Sequence, residues 1–387
     1  MQASTVDTPT IDHCGTIFVA IELSQKSWLV TMHCPDKDKM SRHKLAGGDH
    51  ADQLALIDRV RDRAAQALGA IPAVVSCYEA GYDGFWLHRL LVSAGITNYV
   101  FDPSSIAVDQ RARRVKTDRI DGEAMLRTLM AYRRGEPRVV RIVRVPAPEQ
   151  EDARRATRER DRLIKERTAH TNRIKALLRL LGMAVGNPRR RDWLSWLAAQ
   201  RDWQGQAVPP RMLHEIKHEH ARLMLVRERL NALTPAAAEA DPTPAAAQMT
   251  QRSDLLRKLK CLGPAFATTL TNEVFYKDFR NRREVASYFG LAPSPWRSGG
   301  IDREQGISKA GNPRARCAAI ELAWLWLRHQ PDSALTEWFR KRTLNAGKRN
   351  KRVAIVAMAR KLMVALWRYL TSGLVPEGAV LKEVKAS

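Results

Sequence analysis

The chain has 387 residues, of which 44% are hydrophobic and 27% charged. That balance excludes fibrous, disordered and membrane-embedded classes and fits a globular protein of two or three domains. No apolar run approaches the ~20 residues that span a bilayer, and the polar lead-in 1–14 lacks a signal pattern, so a cytoplasmic, nucleoid-associated protein with no membrane partner is expected. Five scattered cysteines, without paired or Cys/His spacing, argue against both a disulfide framework and structural zinc.

The charge is +24, from 65 Lys and Arg against 41 Asp and Glu. It is concentrated: residues 111–191 carry 24 basic and 10 acidic side chains. An arginine-rich field of this kind implies a polyanionic partner. The basic stretches lack the apolar face of a membrane-surface helix, which favours nucleic acid.

In chain order, the β-rich runs Gly15–Leu23 and Ser27–Cys34 predict a hairpin. Leu54, Ile57, Val60, Ala64 and Leu68 recur at helical spacing across Asp49–Leu68. The continuous apolar run Pro72–Tyr78 reads as a strand buried on both faces. A helix near Gly84–Ala94, a strand Thr97–Phe101 and a helix Arg119–Arg133 follow, giving a mixed sheet flanked by helices. Glu149–Leu181 is one long charged helix with Ile174, Leu177, Leu178 and Leu181 as its seam. A second helix, Pro210–Leu233, carries Met212, Ile216, Leu223, Val226 and Leu230. The pair fits an antiparallel coiled-coil arm, a dimerisation element, or two helices packed on a domain. TPAAAEADPTPAAA reads as part of a linker, 234–250. The rest, Asp254 to about Leu374, is helical with loops. Gly263 precedes a helix whose free amides suit a phosphate, or it marks a plain helix–helix turn.

Four acids occupy special places. Glu22 ends the first strand, and Glu79 follows the buried strand at the carboxyl edge where sites on α/β sheets collect. Asp118 and Asp121 stand three apart at a helix start and share a face. As a set they make a hard oxygen site for Mg²⁺ or Mn²⁺, able to position phosphates. Singly, the aspartates read as a cap and a first-turn charge, and the glutamates as exposed strand ends. Arg111, Arg113, Arg114 and Lys116, just ahead of the aspartates, are candidate phosphate contacts.

Two serines lie in RSGGIDREQGISKAGN, a glycine-broken segment of the helical half. A serine hydroxyl becomes a nucleophile only when oriented and deprotonated beside neutralised phosphate charge. Arg297 adjoins Ser298, and Gly299 and Gly300 permit close backbone approach. Ser308 stands ahead of a helix start, able to cap it or hold a phosphate, and Lys309, Arg314 and Arg316 further on are candidate phosphate contacts.

The strand-borne acid in VAIELSQKSW, together with CYEAGYDGFWLHRLL, VKTDRIDGEAMLR and YFGLAPSPWRSGG followed by GISKAGNPRAR, resembles the insertion sequence one-ten family of transposases and its eleven-eleven subgroup. The resemblance runs from about Thr16 to Arg368, with both motif blocks in order. It implies an α/β RNase H-like (RuvC-like) N-terminal domain at 15–148, a helical coiled-coil middle at 149–233 and a mainly α C-terminal transposase domain at 251–375, ahead of a tail, 376–387. It implies further that Glu22, Glu79, Asp118 and Asp121 are the acidic set and Ser298 the nucleophile, with Ser308 positioning phosphate. DNA ends and target, a noncoding guide RNA and a dimer or tetramer with composite sites are the partners it implies. One departure stands out: the family's first acid is usually Asp, and here it is Glu22, one methylene longer. Two alternatives share these residues. One is a RuvC-like junction nuclease using water; the other is a non-catalytic nucleic-acid-binding relative.

Overall fold

The computed structural model describes residues 15–37, 39–106, 118–233, 243–298 and 301–382, with the side chains of 118–120, 296–298 and 301–305 outside that description. The chain divides into two units, Met1–Val145 and Pro146–Ser387.

In the first unit, β1 (Thr16–Glu22), β2 (Ser27–His33), β3 (Ser41–Ala46), β4 (Ala73–Glu79) and β5 (Thr97–Phe101) form one sheet in the order β3-β2-β1-β4-β5. β2 is antiparallel to β1 and β3, whereas β1, β4 and β5 run parallel. Helices α1 (His50–Leu68) and α2 (Trp86–Ser93) cover one face and α3 (Asp118–Arg133) the other. Strand alternation sends Ile17, Val19 and Ile21 into the core shared with Ile57, Leu87 and Leu91. Phe18 and Ala20 enter the opposite core with Met125, Leu126 and Leu129. β1 is therefore apolar from Ile17 to Ile21, because both its faces are buried. The expected hairpin continues into β3, which sequence pattern missed. Its residues alternate half-buried and exposed and include Arg42, His43 and Lys44, the charged composition that protects a sheet edge.

In the second unit, α4 (Pro148–Leu180) and α6 (Pro210–Ala232) pack side by side. They are antiparallel: His170 meets Glu219 at 2.7 Å, and Arg173, further along α4, meets Glu215, further back along α6. Ile174, Leu177 and Leu178 form a buried seam with Ile216 and Leu223, each worth about 1.5–3 kcal/mol when fully buried. The connection between them contains α5 (Trp193–Ala199), whose buried Trp193 stacks on His220 at 5.0 Å between ring centroids.

The expected linker 234–250 is corrected at its C-terminal end, because α7 (Pro244–Lys258) starts inside it. Thr243 accepts a hydrogen bond from the Ala246 amide, Pro244 occupies the first helical position, and the alanines propagate the helix. The second TPAAA is thus a helix start; the first lies outside the described residues. α8 (Pro264–Glu273), α9 (Arg282–Tyr288), α10 (Pro313–His329), α11 (Ala334–Thr343) and α12 (Lys348–Ser372) complete the unit. Leu270, Leu322, Trp326, Leu362 and Leu366 are at its centre. Inserted between α9 and α10 is a two-stranded hairpin, β6 (Pro293–Ser298) and β7 (Ile301–Ile307), where the glycines suggest only a polar turn. Among the described residues, no helix is long and apolar enough to cross a membrane.

Candidate active site

The carboxylates of the first unit are placed by strand register. β1 and β4 pair in parallel up to Ile21 and Tyr78, so Glu22 and Glu79 come next to one another at the carboxyl edge, with their strands about 4.8 Å apart. Both continue the alternation of Phe18, Ala20, Val75 and Cys77 and therefore belong to the face covered by α3. Glu79 is exposed, while Glu22 is half-buried with its Oε2 out of solvent. The Glu79 edge is fastened to β5 by the Ala80 amide, which donates to the Phe101 carbonyl at 2.9 Å. Burial pushes the Cys77 thiol well up, and the Glu79 charge adds to it.

Helix α3 brings its first turn to the same region. A Cβ on Gly122 would lie 2.6 Å from Thr31 Oγ1 and 3.9 Å from Leu29 Cδ2. Leu29 is the register partner of Glu22. Asp121, the residue before that glycine, is half-buried beside this contact. The absence of a side chain at Gly122 is what lets α3 approach. Asp118 is the first residue of α3, and its side chain lies outside the description.

The donor chemistry fits a hard cation, since two like charges side by side at a strand edge are unfavourable unless neutralised. The side chains do not, as they stand, close a site: among the described residues no group of three His, Cys, Asp or Glu could hold a metal ion. Arg111, Arg113, Arg114 and Lys116 lie outside the described residues.

In the second unit, Ser298 is the last residue of β6, paired with Ile301 of β7. Only residues 299 and 300 separate the partners, so Ser298 stands at the tip of the hairpin. Gly299 lies outside the described residues, as do the side chains of Arg297 and Ser298. The root of the hairpin is clasped by backbone bonds. Ser308 N–H donates to Ala292 O at 2.8 Å, Lys309 N–H to Gly290 O at 3.1 Å, and Asn312 N–H to Tyr288 O at 2.9 Å. Gly311 is required there, because a Cβ would sit 2.4 Å from Tyr288 O. Lys309 holds φ at +55°, and its carbonyl accepts from Arg316 at 3.0 Å. Ser308 and Lys309 are exposed. The cap of α10 is Asn312, not Ser308: its Oδ1 accepts from the Arg314 and Ala315 amides. Arg314 is engaged by Asp161 of α4 at 2.7 Å. Gly263 is the N-cap of α8, with Pro264 at the first helical position.

Sequence reasoning missed the residue that organises this region. Glu273, at the end of α8, keeps only 2% of its side chain exposed. Arg158 of α4 donates to both its oxygens, at 3.0 and 3.2 Å, and Asn312 Nδ2 donates to Oε2 at 3.0 Å. Arg154 lies over the Tyr276 ring at 4.1 Å and donates to Asn272 O. Burial pushes the Glu273 carboxyl up, but the hydrogen bonds from Arg158 and Asn312 and the charges of Arg158 and Arg154 outweigh it and hold the group below its ordinary value. The one signal available was Arg154 and Arg158 at i, i+4 spacing, hidden in a helix where arginine is everywhere. Through this cluster α4 is tied to the cap of α10 and hence to the root of the hairpin.

Comparison with known proteins bears on both motif blocks. Residues 24–183 match the DEDD transposase family of insertion sequence IS110, which takes in Glu79, Asp118 and Asp121 and begins just past Glu22. Residues 253–337 match the transposase IS116/IS110/IS902 family and include both serines. The chain is 46% identical over 379 residues to a putative transposase, y4rJ, of Sinorhizobium fredii, covering 95% of each protein. It is 27% identical over 289 residues to the transposase for insertion sequence element IS1111A of Coxiella burnetii, covering 73% of this chain and 74% of that one. With an edge of strand-end carboxylates in one unit, a clasped serine hairpin in the other and matches spanning both, the chain belongs to the IS116/IS110/IS902 family of insertion-sequence transposases.

Proposed function

We propose that this transposase cleaves and rejoins DNA through a covalent serine–DNA intermediate, with Ser298 as nucleophile. Its Oγ attacks a backbone phosphorus, an O–P bond forms, and the deoxyribose oxygen on the far side leaves with a proton. Attack by that or another strand's hydroxyl reverses the step and frees the serine. Arg297, Gly299, Ser308 and Lys309 would neutralise and position the phosphate around the tip and root of the hairpin. Gly263 and the basic residues Arg111, Arg113, Arg114 and Lys116 would hold flanking backbone.

Glu22, Glu79, Asp118 and Asp121 would hold a divalent cation, Mg²⁺ or Mn²⁺. When bound, it would stabilise charge on the reacting phosphate. The carboxylates themselves orient what binds at the sheet edge, and Glu22 carries its oxygens one methylene further from the backbone than an aspartate would. In this reading, 15–148 is an RNase H-like domain, 149–233 a coiled-coil arm and 251–375 the serine domain. A noncoding guide RNA selects the sites, and a dimer or tetramer assembles them. The observation that carries the reading is the register of Glu22 beside Glu79 under a helix start bearing two aspartates.

The test is to trap protein–DNA adducts with element-end DNA in wild type and Ser298→Ala. The serine route predicts an adduct that the alanine variant loses, together with strand exchange. Cleavage without any adduct would replace it with a nuclease that uses water.

A further inference from the structure

The second unit holds a cleft of about 970 Å³ on the side of the hairpin root. Its walls are α9 and α12, which pack together, and its floor continues into the segment after α12. Five cations line it: Arg282 and Arg283 from α9, and Arg360, Lys361 and Arg368 from α12. A single carboxylate, Glu377, faces them. None of the five forms an ion pair with a described residue, whereas arginines elsewhere in the unit, such as Arg158, Arg252 and Arg314, are held by acids. Arg360 is half-buried, and a half-buried cation in a cleft where five cations meet one carboxylate favours an anionic ligand. The floor, by contrast, is apolar: Leu335, Val364, Ala365, Leu374 and Val375.

A cationic rim over an apolar floor matches a ligand that is anionic along one edge and apolar along the other. The volume is at the upper end of the ~300–1,000 Å³ typical of pockets for small organic ligands, the size of one or a few nucleotides. Unpaired strands are recognised with phosphates on Arg and Lys and base faces against guanidinium planes, and the apolar lining gives the bases further contact. Pro293, in the lining, is also the first residue of β6. Ser298 follows five residues later, about 17 Å along an extended strand.

We propose that this cleft binds a short unpaired segment of nucleic acid and feeds the adjoining strand toward the serine hairpin. The proposal rests on the nucleic-acid reading above. Arg282, Arg360 and Arg368 hold consecutive phosphates, and Val364 and Val375 take the base faces.

The experiment uses the full chain and two labelled probes, a 12-nucleotide oligothymidine and a 20-base-pair duplex, titrated at several salt concentrations. The expected result is that Arg282→Ala with Arg360→Ala weakens single-strand binding about tenfold or more. The salt slope should fall by about 0.7 for each phosphate that is no longer neutralised, with duplex binding changed less than about twofold. Val364→Trp, which fills the floor and keeps every charge, should weaken the single strand without altering that slope. Unchanged single-strand affinity in both variants overturns the proposal, and equal losses for duplex and single strand overturn its assignment to unpaired strands. If the wild-type protein binds neither probe, the underlying nucleic-acid reading fails first, and this inference with it.

Discussion

The acids of the two units are handled in opposite ways. Glu22 and Glu79 stand side by side at a sheet edge, with Asp121 beside the close approach of α3, so negative charge accumulates where water still reaches. Glu273 is alone, almost fully buried, and bonded by Arg158 and Asn312. A buried carboxylate with both oxygens satisfied is fixed in one state and serves architecture. Carboxylates gathered at a sheet edge are the donor type that a divalent cation takes. Burial, rather than residue type, separates the acids of the sheet edge from the structural one.

The largest effects should break this contrast at the edge. Glu79→Gln and Asp121→Asn are each expected to lower recombination of a marked element by about 10³-fold or more, roughly 4 kcal/mol in barrier. The melting temperature should not fall, as thermal unfolding of the purified variants would check. Glu273→Ala should do the reverse. Arg158 keeps 48% of its side chain exposed, so losing its buried partner costs less than the ~3–5 kcal/mol of a fully buried pair, visible as a lower urea midpoint for the second unit. If Glu273→Ala leaves stability intact but abolishes strand exchange, the division of roles is wrong. Gly122→Ala forces a methyl toward Thr31 and should destabilise the first unit by about 1–3 kcal/mol, measured by hydrogen exchange in α3. The smallest effect is with pH. Because the folded Glu273 value is lowered from 4.5, its contribution is fully present above that value and is lost as pH falls through the lowered one. Urea midpoints taken across the acid range should show the second unit weakening there, and Glu273→Gln should flatten that dependence.

Much of this was legible in the chain itself. The sheet of the first unit follows from apolar runs, except β3, whose charged edge composition carries no apolar signal. The long helices followed from periodicity, and their antiparallel seam from Ile174, Leu177 and Leu178. The two strands of the hairpin were not legible, because prolines and glycines there read as turn and the pairing is set across the Ser298–Ile301 end. The strand-end glutamates could be proposed from position, but their adjacency needed the register of β1 against β4. Asn312 as cap has a local signature, Asn ahead of Pro313 at a helix start. Glu273 as hub depends on partners far along the chain, more than a hundred residues away in the case of Arg158, and no local pattern encodes it.

One consequence concerns how the protein can be dissected. The family match ends at residue 183, yet α4 is physically part of the second unit, bound to α6, α7 and α8. A fragment cut at 183 would carry α4 as an orphan, with Ile174, Leu177 and Leu178 bared to solvent and Arg154 and Arg158 stripped of their acceptors. Such a piece would clump or fray for reasons unrelated to its carboxylates. The natural seam lies between Val145 and Pro146, where both cores around the sheet remain whole and the helical half keeps its first anchor.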